Sequence, residues 1–405
     1  MNILNISSYE LSGSRFNGFI NHLNFIKEGY NSKYLVWTKE GNDTNTEILF
    51  KNKYRTQIQR KVQKLEYKYS VHSVFYPFAF VLPFLRIFRN ANVVHYHLIH
   101  NYFFSLLAFP LLTWLKPTLW TLHDPWALTG HCIHPGDCKK WTKICENCPK
   151  LNILFPMKKD NTKRIWKFKR IIYKLSKFEI IVASKWMLEN VKASPLFKKK
   201  IIHYIPFGID FNTFYPIEAT VAKLKLGINE DFTILFRATN SEFKGFSYVR
   251  EFLIRYSKNN KHKINILTVE QTGLLDDLKE HFNIKEFGWV NDQKMMNLIY
   301  NATDVFLMPS IAEAFGLMAV EAMSCAKTVV VFKGTALTET IEAPEGGIAI
   351  DMSSDAIYEK MIFLMENESY RNNIGRKAFD IAQKNYNYDT HYKNIKDLYN
   401  KISIK

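Results

Sequence analysis

The sequence predicts an α/β fold of two Rossmann-like domains facing across a cleft, each a parallel sheet flanked by helices. Three observations predict it. The chain has 405 residues, enough for two domains of ordinary size with a core each. Short runs rich in Val, Ile, Leu and Phe alternate with longer stretches of helical period, the pattern of strand–helix–strand units. That alternation is broken at residues 203–210, where His-Tyr-Ile-Pro-Phe-Gly-Ile-Asp reads as the crossing from one domain to the next.

The elements follow in order. Residues 2–7 read as a first buried strand, because Ile3, Leu4 and Ile6 cluster without the basic start and long apolar core of a signal peptide. Further strands are expected at 33–38, 93–97, 118–123 and 179–184 in the first half. In the second half they recur at 233–237, 263–269, 284–287, 305–308, 328–332 and 348–351. Residues 317–325 lack Gly and Pro and suit a helix, and a last helix is expected around 390–402. The most apolar run, 103–115, contains Pro110 and is too short to span a bilayer, while Pro77 and Pro83 interrupt 71–88. A cytoplasmic protein is therefore expected.

Charge is divided unevenly. Residues 1–205 hold 32 Lys and Arg against 12 Asp and Glu, and the remainder holds 23 against 26, within an overall +17. The basic residues concentrate at 51–68, 158–177 and 198–200, interleaved with Tyr, Phe and Trp. Such a face suits anionic lipid headgroups, nucleic acid or a phosphorylated acceptor, and equally an ordinary solvated surface. No nucleic-acid-binding motif accompanies it, so the inner face of a membrane is the expected partner and nucleic acid is not.

The most informative stretch is Glu-Ala-Phe-Gly-Leu-Met-Ala-Val-Glu-Ala-Met at 313–323. It follows the predicted strand at 305–308 and opens the predicted helix, so Glu313 lies in a loop and Glu321 about one turn inside the helix. Helix-start amides at Phe315, Gly316 and Leu317 have no partner within the helix and can bind an anion such as a diphosphate. Carboxylates accept paired hydrogen bonds from vicinal hydroxyls. One corner thus suits both ends and the middle of a nucleotide sugar. Two glutamates near a helix start are also common for electrostatic reasons alone.

The full string resembles the E-x7-E signature of retaining glycosyltransferases of family four (glycosyl transferases group 1), of the surface-polysaccharide type. The resemblance implies the GT-B fold and a boundary set of 1–205 for an acceptor-side domain, 206–385 for a donor domain and 386–405 for a helix packing back towards the first. It implies that Glu313 holds the transferred sugar, that Glu321 holds the ribose, and that Arg237 and Lys244 grip the diphosphate. Fixed cations and helix amides can stabilise the departing diphosphate as a divalent metal does elsewhere. The sequence has no Asp-x-Asp motif, so no catalytic metal is expected. Gly334-Thr335 is expected to turn close to the donor. Phe207 stands where the family pattern often has Asn.

In the first domain, Gly13 follows strand one at the carboxyl edge, where ligands of open α/β sheets bind, and is assigned to the donor site. His123 closes the strand at 118–123, and the family places a His near this point beside donor sugar and acceptor hydroxyl. His95, His97 and His100 are weaker candidates, since a His at a strand end is often a hydrogen-bonded core residue. Cys132, Cys138, Cys145 and Cys148 cluster within an insertion at 126–150, flanked by His131 and His134. A structural zinc, free thiols and disulfides all remain open, with the cytosol disfavouring the last. A comparable Cys-rich insertion after His-Asp in related transferases favours a structural part.

The expected function is retaining transfer from a nucleotide-diphosphate sugar to a glycan or lipid-linked oligosaccharide in surface-polysaccharide biosynthesis, at the inner membrane face. The alternatives are a zinc-containing nucleic-acid-binding protein and a non-catalytic GT-B-like partner.

Overall fold

The structure, a computed structural model, describes residues 1–10, 17–260 and 262–404. The chain divides into two compact units, Met1–Pro206 with Tyr392–Lys405, and Phe207–His391.

The first unit is a seven-stranded parallel sheet in the order β3-β2-β1-β4-β5-β6-β7. Its strands are β1 (Asn2–Tyr9), β2 (Asn31–Thr38), β3 (Thr46–Ile48), β4 (Val93–Tyr96), β5 (Thr118–Thr121), β6 (Glu179–Val182) and β7 (Ile202–Tyr204). The inner strands are buried on both faces, as a parallel sheet between helices requires, which is why they read as continuous apolar runs. Sequence reasoning gave five of them and missed β3 and β7. Its helices include α1 (Arg55–Tyr69), α2 (Phe109–Leu115) and α3 (Thr162–Leu175). From Tyr392 onward the chain lies in this unit, where Ile395, Leu398, Tyr399 and Ile402 are buried with Ile3, Phe25, Val93, Leu119 and Ile181.

The second unit is a six-stranded parallel sheet in the order β10-β9-β8-β11-β12-β13. Its strands are β8 (Thr233–Ala238), β9 (Asn265–Glu270), β10 (Asn283–Glu286), β11 (Val305–Met308), β12 (Thr328–Phe332) and β13 (Ile348–Ile350). Its helices include α4 (Gln293–Asn301) and α5 (Leu317–Ser324). The β8–β9 register pairs Arg237 with Val269 and Ala238 with Glu270. In both units the strand order reverses beside the first strand, so a crevice opens at the carboxyl edge between β1 and β4, and again between β8 and β11.

Candidate functional site

The carboxyl edge of the second sheet gathers the charged groups. Met308 ends β11, and the loop that follows turns at Gly316, whose φ of 97° is open to glycine at little cost. A Cβ there would overlap the Leu337 side chain, so residue type and packing agree. Gly316 is the N-cap of α5, and its carbonyl accepts the Ala319 amide at 3.0 Å. Phe315 is buried and packs edge-on to Phe207, centroids 5.2 Å apart, while its carbonyl accepts from Thr340 Oγ1 at 2.7 Å. The loop is therefore held from both sides, with the amides of Phe315, Gly316 and Leu317 at the head of the helix.

Glu313 and Glu321 occupy different environments. Glu321 is buried on α5 and accepts a 2.8 Å hydrogen bond from the hydroxyl of Tyr300 on α4. Glu313 pairs with Lys244, with both side chains less than one-fifth exposed. Lys244 sits in a turn closed by Gly245, which has φ of 68°, and a Cβ on Gly245 would overlap the carbonyl oxygen of Pro309. The Lys244 turn is thus pressed directly against the backbone that leads into the Glu313 loop.

Arg237, near the end of β8, is held by Glu270 at the end of β9. Its Nε and Nη2 both donate to Glu270 Oε2, at 2.8 and 2.6 Å. Glu270 has φ of 94°, a conformation that costs a non-glycine residue about 1–3 kcal/mol. Sequence reasoning missed Glu270 and Tyr300. One edge of each cation's reach is therefore occupied by a carboxylate, and the corner concentrates two cations, three carboxylates (Glu270, Glu313 and Glu321) and a helix start.

In the first unit, His97 and His123 lie past the ends of β4 and β5, with His97 Nδ1 and His123 Nε2 3.3 Å apart. Asn5 Oδ1 lies 3.4 Å from His97 Nε2. With that oxygen accepting, His97 Nδ1 accepts from His123 Nε2, and Nδ1 is the acceptor nitrogen of the His123 ring. Burial pushes the His97 imidazole down to about 3. Burial first, then His97 and His100, holds His123 well below the usual range, so both rings are neutral at neutral pH. His95 is committed elsewhere, bridging Tyr399 and Thr121 at 2.6 and 2.7 Å. His100 pairs with Asp124 at 3.2 Å. Gly13 lies outside the described residues.

The insertion after Asp124 is pinned by one buried cation. Lys169 of α3 donates to the carbonyls of Trp126 and Thr129 at 2.6 and 2.9 Å, and its ammonium lies 3.5 Å from the Trp126 ring centroid. Burial pushes it down to about 7, against the opposing pull of Cys145, Cys132 and Asp124. Cys132, Cys138, Cys145 and Cys148 are free thiols, each half-buried. Burial, then neighbouring thiols, raises Cys132 to about 11. Burial raises Cys145 to about 12, although its sulfur accepts the Gly130 amide at 3.1 Å. The four sulfurs share one loop, and the donor type suits zinc. Among the described residues, however, no three His, Cys, Asp or Glu converge in an arrangement that could hold a metal.

Residues 223–380 match the family described as Glycosyl transferases group 1. The chain is similar to WcaC of Escherichia coli K12, named for colanic acid biosynthesis glycosyl transfer, at 23% identity over 270 residues covering 63% of each chain. It is similar to the capsular polysaccharide biosynthesis glycosyltransferase CapM of Staphylococcus aureus, at 24% identity covering 55% of this chain and 61% of CapM. It thus spans less than two thirds of either relative. Among solved structures, sucrose-phosphate synthase of Thermosynechococcus elongatus superposes with a TM-score of 0.67 at 15% identity, covering 99% of this chain and 98% of that one. Anabaena HepE in complex with UDP-glucose gives 0.65 at 14%, covering 98% and 99%. With two parallel-sheet Rossmann-like units and these neighbours, the fold is GT-B.

Proposed function

We propose, on the premise that residues 223–380 belong to the group 1 glycosyltransferases, that the chain transfers a sugar from a nucleotide-diphosphate donor to a glycan or lipid-linked oligosaccharide with retention of configuration. The setting is the making of a surface polysaccharide at the cytoplasmic face of the membrane. The observation that carries this reading is the corner between β11 and α5. Arg237, Lys244 and a helix start are gathered around it, with Glu313 and Glu321 on the loop and the helix.

Each group has a part. Arg237 and Lys244, with the amides of Phe315, Gly316 and Leu317, take the diphosphate and stabilise the charge it gains as the glycosidic bond breaks. Lys244 then exchanges the Glu313 carboxylate for a phosphate oxygen, which releases Glu313 to accept from the hydroxyls of the transferred sugar. Glu321, oriented by Tyr300, accepts from the ribose. His123, neutral and with Nδ1 as its acceptor nitrogen, is assigned to the sugar and acceptor hydroxyl. The acceptor attacks on the face that the leaving group vacates, and the leaving phosphate takes its proton. The chain's own cations meet the charge requirement, and no metal step is invoked. For the cysteine loop a structural zinc is proposed on donor type alone. Metal analysis of the purified chain tests it.

Donor hydrolysis and thermal stabilisation against UDP-, GDP- and ADP-sugars form the primary test, with Glu321→Gln as the comparison because Gln can still accept from Tyr300. HepE binds UDP-glucose, so the uridine donors come first. One responding nucleotide, with the response lost in Glu321→Gln, supports the reading. A panel in which nothing stabilises the chain refutes it.

A further inference from the structure

Helix α2 of the first unit is apolar on both faces. Phe109, Leu112 and Thr113 are buried beneath it, while Leu107 in the preceding turn and Leu111, Trp114 and Leu115 point outward, each 46–61% exposed. The outward positions recur at helical spacing and form a continuous stripe. A stripe on a solvated helix would ordinarily be polar.

Helix α3 extends this surface. Its Ile171 and Leu175 are 59% and 54% exposed, and the Trp114 indole donates to the Leu175 carbonyl at 2.7 Å. The Lys177 ammonium stands 3.3 Å from the Trp114 ring centroid, and the Lys177 amide donates to Thr113 Oγ1 at 2.9 Å. The two helices therefore share one outward face. Lys167, Arg170 and Lys174 are exposed beside Ile171 and Leu175 on α3. No carboxylate dilutes the charge, because the sequence has no Asp or Glu from 67 to 123 or from 161 to 178.

We infer that this face of α2 and α3 docks on an anionic lipid bilayer, with Leu107, Leu111, Trp114, Leu115, Ile171 and Leu175 entering the headgroup boundary and the α3 cations resting on lipid phosphates. The pattern of aliphatic anchors, an interfacial Trp and interleaved Lys and Arg is that of an interfacial surface. Nucleic acid would reward the cations but not the leucines. Among the described residues no helix is long and apolar enough to cross a membrane. The inference rests on the lipid-linked acceptor reading for its purpose, but its test does not use transfer.

The test is co-sedimentation of the full chain with phosphatidylcholine vesicles and with vesicles containing phosphatidylglycerol. Two surface variants are compared, Leu111→Ser with Ile171→Ser, and Lys167→Gln with Lys174→Gln. The wild type is expected to sediment with the anionic vesicles and to remain in solution with the neutral ones. The charge pair should weaken binding to the anionic vesicles about thirtyfold at low salt, and the apolar pair should weaken it at the same salt. Donor-induced thermal stabilisation should be unchanged in both. Failure to sediment, unaltered sedimentation of both variants, preferential binding of oligonucleotides, or a dimer that the apolar pair converts to monomer would each overturn the inference.

Discussion

Replacing Gly245 by Ala tests whether the Lys244 turn is locked against the glutamate loop. Two costs act together. The residue has φ of 68°, where Ala is less stable than Gly by about 1 kcal/mol. A Cβ would also overlap the Pro309 carbonyl. A backbone atom cannot rotate aside, so the overlap is relieved only by moving the turn or the strand end, at about 1–3 kcal/mol. The expected loss is about 2–4 kcal/mol in total. Gly227 supplies the control, because its φ is 62° but no heavy atom lies within 4 Å of its Cβ position. Gly227→Ala should therefore lose only the conformational part, about 1 kcal/mol. Equilibrium urea unfolding followed by far-ultraviolet circular dichroism compares the two in the same unit, and nucleotide titration reads the displacement of Lys244. Gly245→Ala should also bind nucleotide more weakly, while Gly227→Ala should not. Equal stability losses would refute the reasoning, since the Pro309 carbonyl would then be free to give way.

Three further outcomes are expected. Glu270→Gly removes a residue held at φ of 94° and should leave stability unchanged or raise it by about 1 kcal/mol. The same change loosens Arg237 and should weaken nucleotide binding severalfold, as melting curves and titration on one sample can report. Tyr300→Phe removes one hydrogen-bond donor to buried Glu321 and should cost about 1 kcal/mol of stability, with a higher donor KM at nearly constant kcat. For pH, the folded value of about 3 at His97 lies below its ordinary 6.5. Its contribution is thus complete above 6.5 and is lost as pH falls through 3. At pH 5 the cost is about 2 kcal/mol, and His97→Gln should flatten that part of the acid-unfolding curve.

Much of the fold was legible because parallel strands covered on both faces must be apolar throughout. The segments at β11 and β12 coincide with the expected 305–308 and 328–332. The missed strands β3 and β7 are edge strands of three residues, only partly buried, so they carry neither a long apolar run nor a strict alternation. The glutamate corner was legible because its groups are adjacent in sequence. Glu270 was not, since its partnership with Arg237 follows from strand register and from a backbone angle that a Glu seldom adopts. Tyr300 was hidden for a related reason. Its helical position marks it as core, and only the packing of α4 against α5 aims the hydroxyl at Glu321. The outward stripe of α2 was visible as an apolar run, but only burial distinguishes a core run from a half-exposed one.

The two units repeat one topological solution with opposite chemistry. A parallel sheet brings all its carboxyl ends to one edge, and the reversal of strand order beside its first strand opens a crevice there. In the second unit that edge carries Arg237 and Lys244, each already paired with a carboxylate. Such pairs keep the cations aimed, and a diphosphate, which brings more negative charge than a single carboxylate, can displace one partner. In the first unit the corresponding edge carries His97 and His123, which burial keeps neutral. A neutral imidazole pair neither attracts a diphosphate nor repels a cation, but it can donate to or accept from a hydroxyl. Under the proposed transfer, that asymmetry suits the second unit to the anionic end of a donor and the first to an uncharged hydroxyl. Placing a permanent charge at His123, as in His123→Arg, should impair acceptor use while leaving nucleotide binding intact. Equal loss of both would mean that the histidines serve the donor's diphosphate.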